Sequence, residues 1–339
     1  MGMKRIMNHL PKISVIVCTR DRPKDLEELL STILIQSYPP SEVIIVDDSR
    51  VSSAKKVAQS FGSKFQLIHC QLKYAKGSGD GLPAARNLSL KLSKGDAILF
   101  LDDDVLLDQN VLNTLATFLR DNHNAICVQP EILPTQEETS SRMLAHFDNA
   151  ICKGLMLTYH EENKLKVRRS GASVFPNSLT KAITVKRLSG CCCYKREVFN
   201  EFCFDTNLRL WGFMEDLDFS YRLYKKYPQS LYAVPYAKIT HKVSKESRLP
   251  IRTSIYMMTI YWFYIFFKDV FESSVLNLIA FLWALTGNLA YNLGGLVIKR
   301  KSKSEWWSLI YLLKSYITAF KNLRNILTQR LEFFNKTLE

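Results

Sequence analysis

Short apolar runs that end in polar residues alternate with amphipathic segments along the first third of the chain. Four runs predict buried strands, because they are rich in β-branched or bulky apolar residues: "ISVIVC" (13–18), "EVIIVDDS" (42–49), "FQLIHC" (65–70) and "AILFL" (97–101). Three segments between them predict helices, at 22–37, 52–61 and 82–93. This alternation predicts an α/β fold whose mixed sheet is mostly parallel and carries helices on both faces.

Polar residues follow three of the predicted strands, at the edge where such sheets bind ligands. Thr19-Arg20-Asp21 follows the first strand, Asp47-Asp48 ends the second, and Asp102 to Asp104 follow the fourth. Ligands of open α/β sheets lie beyond the carboxyl ends of the strands, so these groups should converge on one site. The chain contains neither G-x-G-x-x-G nor G-K-S/T, so Rossmann dinucleotide binding and P-loop phosphate binding are not expected.

The consecutive aspartates Asp102, Asp103 and Asp104 repel one another and therefore need a compensating charge. By strand alternation, Asp102 and Asp104 should project to one side and Asp103 to the other. Two carboxylates on one side form a hard-oxygen site for Mg²⁺ or Mn²⁺, which keeps open positions for diphosphate oxygens. Capping of the next helix should fall to Asp108, which leaves the triplet available for this role.

A phosphatase of the haloacid-dehalogenase type is an alternative interpretation of the same aspartates. Such enzymes place D-x-D after an apolar strand, with the first aspartate attacking phosphorus and the second acting as acid and base. Asp102 and Asp104 fit these positions, but Leu106 stands where a Thr or Val is usual. Three strand–helix units also precede a motif that normally opens the catalytic domain, which weakens this alternative.

A second acidic cluster, Glu215, Asp216 and Asp218, begins a predicted amphipathic helix in "MEDLDFSYRLYKKY". The helix dipole keeps such carboxylates ionised, and an ionised carboxylate in a cleft can accept a proton from an incoming hydroxyl. Acidic residues are also common in any first helical turn, so this position alone does not decide between capping and catalysis. Trp211 and Gly212 add an aromatic plate for a sugar ring and a flexible backbone, which favours catalysis.

The last quarter of the chain is strongly apolar. No charged residue lies in 254–267, and the 24 residues from Val275 to Ile298 are also uncharged. A helix of that length spans about 36 Å, which is enough for a bilayer core of roughly 30 Å. We expect candidate transmembrane helices at 252–271 and 275–298, or helices lying in one leaflet. A buried soluble pair is the alternative, favoured by the asparagines Asn277, Asn288 and Asn292.

The formal net charge of +14 predicts an anionic partner. From Lys245 to Glu339 there are 13 Lys and Arg against 6 Asp and Glu, so half of the excess lies beside the apolar segments. The run "KRKSK" (299–303) indicates a cytoplasmic end, and 305–326 predicts an amphipathic helix on the membrane surface. We therefore expect association with the cytoplasmic side of a membrane, such as the plasma membrane, and no nucleic-acid partner.

Five sequence blocks together resemble glycosyltransferase family 2, whose catalytic domain has the GT-A fold. The blocks are "KISVIVCTRDRPKDLEELL", "VIIVDDS", "GLPAARNLSLKLSKGDAILFLDDDV", "LSGCCCYKREVF" and "WGFMEDLDFSYRL…VPYAKITH", and they cover about residues 12 to 241. The resemblance implies a tail at 1–11, a Rossmann-like GT-A domain at 12–245 and a membrane-associated helical region at 246–339. The domain would divide into a nucleotide-sugar half at about 12–129 and an acceptor half at about 130–245.

The resemblance also implies roles for individual residues. The implied nucleotide-sugar contacts are Thr19, Arg20, Asp48, Arg86, Asn87, Asp102 and Asp103, with Asp48 near the base and Arg86 and Asn87 near the nucleotide or its phosphates. The implied metal ligands are Asp104, Asp102 and His241. Asp216 matches the catalytic base with Glu215 beside it, and we expect Trp211 and Gly212 on the acceptor side.

The implied reaction is an inverting transfer from a nucleoside-diphosphate sugar to a hydroxyl of a glycan or a lipid-linked acceptor, assisted by Mg²⁺ or Mn²⁺. Asp216 would take the acceptor proton while the hydroxyl attacks the anomeric carbon. A sugar-nucleotide-binding protein that has lost catalysis is the non-enzymatic alternative. The presence of Asp104 and Asp216 argues against it.

Overall fold

The computed structural model describes residues 9–51, 54–134, 142–298 and 303–338. Most of the expected N-terminal tail and of the basic run at 299–303 lies outside these ranges.

The described strands are β1 (Ile13–Thr19), β2 (Glu42–Asp47), β3 (Gln71–Lys76), β4 (Ala97–Asp102), β5 (Val105–Leu107), β6 (Cys127–Pro134), β7 (Tyr159–His160), β8 (Lys166–Val167), β9 (Ser173–Phe175), β10 (Ile183–Thr184), β11 (Cys193–Lys195) and β12 (Leu231–His241). The described helices are α1 (Pro23–Leu34), α2 (Ala54–Leu67), α3 (Leu82–Leu92), α4 (Val111–Asp121), α5 (Arg142–Gly154), α6 (Glu215–Lys226), α7 (Ile251–Ile265), α8 (Val275–Ile298), α9 (Lys303–Lys321), α10 (Leu323–Leu327) and α11 (Glu332–Asn335). A 3₁₀ turn at Arg196–Asn200 follows β11, and a π-helical turn at Phe266–Val270 follows α7.

One large sheet organises the described residues up to His241. β3, β2, β1 and β4 are parallel neighbours, and β11 lies antiparallel between β4 and β6. β6 continues in parallel to β12, whose edge pairs antiparallel with β10 and β5. The predicted α/β class with a mixed, mostly parallel sheet is confirmed.

Both faces of the sheet are buried, which explains why its central strands are continuous apolar runs. Val15 and Val17 face a core shared with α1, α2 and α4, whereas Ile16 and Phe100 face a core shared with α3 and α6. The register brings Thr19 level with Asp47 and Cys18 level with Asp102. The polar ends of β1, β2 and β4 therefore meet at one edge, as the sequence predicts.

The predicted third strand at 65–70 is wrong. Helix α2 continues to Leu67, and the strand β3 begins only at Gln71. Ala58, Phe61 and Phe65 keep a helical spacing and are all buried, so the apolar residues of "FQLIHC" extend the helix before the turn.

The predicted capping role of Asp108 is also wrong. Helix α4 begins at Val111 with Asn110 at its N-cap position, and no side-chain hydrogen bond caps it. Asp108 contributes its backbone oxygen, which accepts from the amide of Val111 at 3.2 Å and from the side chain of Gln36 at 2.9 Å.

The candidate transmembrane segment at 252–271 forms a core helix in the structure. Along α7 the apolar side chains from Met257 to Ile265 are mostly buried against the catalytic domain and α9. The Tyr261 hydroxyl accepts from the amide of Arg209 at 2.9 Å, and the Tyr264 hydroxyl donates to Asp205 at 2.6 Å. These polar contacts and this burial hold most of α7 inside the protein.

Helix α8 has a different environment. In the described part of the chain one helix is long and apolar enough to cross a bilayer, and it is Val275–Leu296, with 28% of its most apolar window buried. Its inner side packs on the protein, since Phe281, Ala284 and Leu285 are buried and Asn288 donates to the Tyr316 hydroxyl at 3.0 Å. Its outer side carries a stripe of exposed apolar residues: Val275, Leu276, Ile279, Leu282, Trp283 and Leu293.

A buried ionic cluster joins the C-terminal helices to the catalytic domain. Lys268, in the turn after α7, donates to Asp205 at 2.6 Å and to the fully buried Asp218 of α6 at 2.5 Å. Buried charges of this kind depend on their partners, because removal of one partner leaves the other desolvated and unpaired.

We expect Lys268→Met to lower the free energy of unfolding by about 3–5 kcal/mol, because Asp205 loses its cationic partner and the buried Asp218 keeps only Arg222. Urea denaturation followed by tryptophan fluorescence measures the change. Lys226→Met is the matched control, since Lys226 pairs with Glu201 on the surface and should change stability far less. Equal effects of the two substitutions would contradict a structural role for the buried cluster.

Candidate active site

A cavity of about 320 Å³ lies at the carboxyl ends of β1, β2 and β4, and we call it the first cavity. It brings together residues that are distant in the sequence but were expected to share a site. These residues are Thr19, Arg20, Asp48, Asp102, Asp103, Asp104, Trp211 and His241. The volume falls in the range of small-ligand sites, about 300–1,000 Å³.

The three consecutive aspartates diverge because the strand ends among them. β4 stops at Asp102, and Asp103 and Asp104 form a turn before β5. Strand alternation therefore does not govern their directions, and all three carboxylates line the first cavity. Each carboxylate has a cationic partner from a different part of the chain.

Asp102 belongs to a buried charge cluster centred on Arg86. The Arg86 guanidinium lies 3.3 Å from Asp102 Oδ1 and 2.6 Å from Glu215 Oε1, and it also donates to the backbone oxygen of Gly190. Burial raises the pKa of Glu215 above its usual range, and the charge of Arg86 opposes that rise. Arg86 thus ties α3, the end of β4 and the start of α6 together.

Asp103 is buried beneath an arginine that sequence inspection did not single out. Its Oδ2 accepts from the Thr19 hydroxyl at 2.7 Å, and its Oδ1 lies 3.1 Å from Arg22 Nη1. Burial raises the pKa of Asp103 to about 7, although Arg22 and the Thr19 hydroxyl act in the opposite direction. Arg22 also lies over the ring of Trp211, 4.3 Å from its centroid, so it connects the aspartate turn to the Trp211 loop.

Asp104 faces His241 at the end of β12. Asp104 Oδ1 and His241 Nε2 are 3.1 Å apart, and Asp104 Oδ2 accepts from the Ser244 amide at 2.9 Å. Burial alone would raise the pKa of Asp104, but the hydrogen bonds of His241 and Ser244 and the charge of Arg22 lower it to about 2. The hydrogen bond to Asp104 in turn raises the pKa of His241.

The chemistry and spacing of Asp104 and His241 suit a divalent cation. Two neighbouring ligands of an octahedral ion with bonds near 2.1 Å lie roughly 3 Å apart, which matches the separation of these two atoms. Among the described residues no three His, Cys, Asp or Glu side chains form a ready-made metal cage. A cation held by Asp104 and His241 would therefore need further oxygen ligands from water or from a bound diphosphate.

Asp48 supports the loop that follows β3. Its two carboxylate oxygens accept from the amides of Gly79 at 2.7 Å and Gly81 at 3.0 Å, and Arg20 lies 3.6 Å away. Burial raises the pKa of Asp48, against these hydrogen bonds and the charge of Arg20. Arg20 and Asp48 also line a neighbouring cavity of about 400 Å³, so the first cavity continues towards the loop at 77–81.

Two expected nucleotide contacts lie elsewhere. Arg86 is 3% exposed and committed to the carboxylates described above, so it lies behind the cavity wall. Asn87 donates to the backbone oxygen of Phe204 at 2.9 Å and accepts from its amide at 3.0 Å. Both residues therefore support the fold around the first cavity, and neither is among its lining residues.

The loop that carries Trp211 and Gly212 is docked on the start of α3. The amide of Leu82 donates to the backbone oxygen of Leu210 at 2.7 Å, and Gly81 adopts φ +109°. A Cβ at Gly81 would lie 2.2 Å from the backbone nitrogen of Leu210, so only glycine permits this approach. Trp211 is thereby placed on the wall of the first cavity, whereas Gly212 packs against α3 and α6.

Asp216 faces a second cavity, of about 570 Å³, between the catalytic domain and helices α7, α8 and α9. Its Oδ2 lies 2.5 Å from Nη2 of Arg187, and about a quarter of its side chain is exposed. Arg187 is itself fixed, because it donates to the Ser173 hydroxyl at 2.5 Å and to the backbone oxygen of Leu188 at 3.0 Å. The side chain of Phe213 lines both cavities, so they are neighbours.

Sequence inspection missed Arg22, Arg187 and the second cavity. Arg22 follows the polar residues after the first predicted strand and precedes a proline, a pattern that is typical of the start of a helix. Arg187 lies in "KRLSG", where an alternation of charged and apolar residues indicates only a surface strand. Their partners are more than 25 residues away in each case, so no local pattern signals the contacts.

Comparison with known proteins shows which family the chain matches. The model described as "Glycosyl transferase family 2" matches residues 14–201. The chain is 32% identical over 117 residues to poly(ribitol-phosphate) beta-N-acetylglucosaminyltransferase TarS of Staphylococcus aureus strain Mu50, covering 34% of the chain and 20% of TarS. It is 28% identical over 126 residues to glucosyl-dolichyl phosphate glucuronosyltransferase of Haloferax volcanii, covering 36% of the chain and 39% of that protein.

A third relative is cholesterol galactosyltransferase of Borreliella burgdorferi, with 25% identity over 122 residues, covering 36% of the chain and 33% of that protein. The three matches thus span from a fifth to two fifths of the relatives' own lengths. The activities named for these relatives therefore belong to the complete proteins, of which this chain matches only a part.

Solved structures confirm the fold. The crystal structure of S. aureus TarS 1-349 covers 93% of this chain and 83% of its own length, with a TM-score of 0.54 and 18% identity. GalNAc-T7 with UDP, GalNAc and Mn²⁺ covers 83% of this chain and 55% of its own, with a TM-score of 0.54 and 15% identity. At these identities the likeness concerns the fold, and the GT-A-like architecture expected from the sequence is confirmed.

Proposed function

Because the chain belongs to glycosyl transferase family 2, we propose that it transfers a sugar from a nucleoside-diphosphate sugar to an acceptor hydroxyl with inversion at the anomeric carbon. The observation that carries this proposal is the juxtaposition of two cavities, one lined by Asp104 and His241 and the other by Asp216, with Phe213 in the wall of both. A reaction between two substrates needs two adjoining sites of this kind.

The first cavity suits the donor. Its polar wall offers Arg20 and Asp48 towards the nucleoside and the aspartate turn towards the diphosphate. The continuation of the cavity towards the 77–81 loop leaves room for the base. The solved complexes of TarS with UDP-GlcNAc and of GalNAc-T7 with UDP, which have the same fold, support a nucleotide-sugar donor.

Asp104 and His241 are the residues that would hold Mg²⁺ or Mn²⁺. Such an ion, when bound, supplies positive charge to the diphosphate as that group leaves. The Mn²⁺ in the GalNAc-T7 structure supports this part of the proposal. Arg22, 3.4 Å from Asp104, already balances part of the negative charge of the turn. It thereby limits the repulsion between the carboxylates before substrate binds.

Asp216 would act as the general base. Its carboxylate takes the proton of the acceptor hydroxyl, and the oxygen attacks the anomeric carbon from the side opposite the diphosphate. The bond from the anomeric carbon to the diphosphate breaks, and its electron pair leaves with the nucleoside diphosphate. Arg187, held by Ser173, orients the carboxylate.

The phosphatase alternative has less support. Asp102 Oδ1 lies 3.3 Å from the buried Arg86, which draws that oxygen towards the protein rather than towards a phosphorus atom. Family membership also favours sugar transfer over phosphate hydrolysis.

The acceptor is proposed to be a glycan or a lipid-linked glycan presented at a membrane. Helix α9 carries exposed apolar residues beside exposed Lys314 and Lys321, Arg324 is exposed on the following α10, and α9 packs against α8. An apolar surface with a basic margin suits the interface of an anionic leaflet. Because the inner side of α8 packs on the protein, we propose that these helices lie along the cytoplasmic leaflet. The names of two relatives, which mention dolichyl phosphate and cholesterol, agree with a lipid acceptor.

Asp216→Asn should retain the fold and nucleotide binding but lower the transfer rate by about 10² to 10⁴, because an amide cannot accept the acceptor proton. Transfer of radiolabelled sugar from a panel of nucleotide-sugars to membrane extracts measures the rate. Asp121→Asn, an exposed change on α4, is the control and should leave it unchanged. Full activity of Asp216→Asn would refute the assignment of the base.

His241→Gln should abolish the metal-dependent part of nucleotide binding, because an amide replaces the imidazole that faces Asp104. Thermal stability is measured with a panel of nucleoside diphosphates, with and without Mn²⁺. Wild type should be stabilised by at least one of them only when Mn²⁺ is present, and His123→Gln, an exposed histidine change, should behave as wild type. Metal-independent stabilisation of wild type, or an unchanged response of His241→Gln, would exclude this metal site.

Phe320→Glu in α9 should weaken binding to vesicles that contain phosphatidylglycerol, because it places a carboxylate on the proposed membrane face. Co-sedimentation with vesicles measures the bound fraction. Leu67→Glu makes the same kind of change at an exposed leucine of α2 and serves as the control. Equal vesicle binding by the two variants would remove the support for this surface.

A further inference from the structure

The second cavity has two kinds of wall. Asp216 and Arg187 close it on the side of the catalytic domain, while Ile255, Met258 and Trp262 of α7 form much of the apolar wall. At about 570 Å³ it is larger than the first cavity and has room for both a saccharide and part of a hydrocarbon chain.

Helix α8 supplies the polar part of the wall from within an apolar sequence. Asn288, Tyr291 and Asn292 all line the second cavity. With about 100° between successive residues, these three positions lie on the side of the helix opposite the stripe of exposed apolar residues. Asn288 and Asn292, two of the asparagines that would fit poorly in hydrocarbon, thus face the cavity. The Asn288 amide group donates to Tyr316 and the Asn292 amide group donates to Asn288, so hydroxyl groups would bind at the remaining amide oxygen and N–H positions.

The charge of the cavity restricts its ligand. Arg187 and Asp216 are the charged residues among its described lining residues, and they are paired at 2.5 Å. A phosphodiester polymer would need unpaired cations along such a wall, because a buried phosphate without a partner is strongly disfavoured. An uncharged saccharide is compatible with the amides and the aromatic side chain of Trp262.

The cavity also opens beside the proposed membrane face. Met258 and Asn292 line it and are both exposed, so they lie at its mouth. A molecule anchored in the leaflet could place its headgroup against Asp216 and keep its chain along α7.

We propose that the second cavity binds the acceptor as a neutral glycolipid, with the sugar hydroxyl at Asp216 and the first part of the hydrocarbon chain along Ile255, Met258 and Trp262. Asn288 and Asn292 bind the other hydroxyl groups of the headgroup. This inference rests on the proposed function, since it names the substrate class of the site that contains Asp216.

The test uses the full chain and two radiolabelled probes, octyl β-glucoside and octyl β-galactoside, each below its micelle concentration. Equilibrium dialysis should detect saturable binding of at least one probe. Octylphosphocholine, which has the same chain and a charged headgroup, and methyl β-hexosides, which have the headgroup alone, should compete at least about tenfold less well. If octylphosphocholine or the methyl β-hexosides competed as well as the octyl hexoside, the proposal would be overturned.

Two variants locate the binding. Met258→Trp narrows the mouth and Asn292→Leu removes an amide, so each should weaken the saturable phase about tenfold or more. Thr286→Leu is the matched control, because it replaces an exposed polar residue of the same helix outside the cavity and should leave binding unchanged. Equal binding by all three variants would show that the probes bind the outer surface instead.

The same samples separate this inference from the proposed function. Stabilisation by a nucleoside diphosphate with Mn²⁺, together with no saturable binding of either octyl hexoside, would refute the glycolipid acceptor and leave the donor site standing. Saturable binding without any nucleotide response would instead refute the proposed function on which the inference rests.

Discussion

The candidate active site depends on the charge balance of three adjacent carboxylates. The side chains of residues 102–104 would repel one another without partners, and each is paired with a basic side chain from a distant part of the chain, with Arg22 shared by Asp103 and Asp104. Arg86 comes from α3, Arg22 from the start of α1 and His241 from the end of β12. The aspartate turn therefore links α1, α3 and β12 to the end of β4. Arg86 extends that connection to α6 through Glu215.

The same pairings are consistent with the donor and acceptor roles that we propose for the two cavities. Acidic and basic side chains of the first cavity are already paired with one another, so the proposed diphosphate and its cation would exchange partners within an existing network. Asp216 lies one residue beyond the buried Glu215, at the start of a helix whose position is fixed by Arg86 behind it and by Lys268 further along. In its proposed role as base, a carboxylate held in this manner would need little reorganisation when the acceptor arrives.

The sequence predicted the parts of the fold that depend on local pattern. Buried strands such as 13–18 and 97–101 and the convergence of their polar ends follow from hydrophobicity and from the geometry of parallel sheets. The error at 65–70 arose because Phe65 satisfies both a strand pattern and the spacing of α2, and only packing against the sheet decides between them. Asp108 was misassigned because α4 begins two residues later than its cap would require. The partners of Arg22 and Arg187 depend on long-range contacts, which one sequence does not encode in any local pattern.

The walls of the two cavities draw unequally on the C-terminal helices. Ser254 of α7 lines the first cavity, whereas residues of α7, α8 and α9 enclose much of the second. Under the proposed function, changes in these helices would therefore reshape the second cavity far more than the first. In such an arrangement the C-terminal helices would set the choice of acceptor, and the aspartate turn at the edge of the sheet would set the choice of donor.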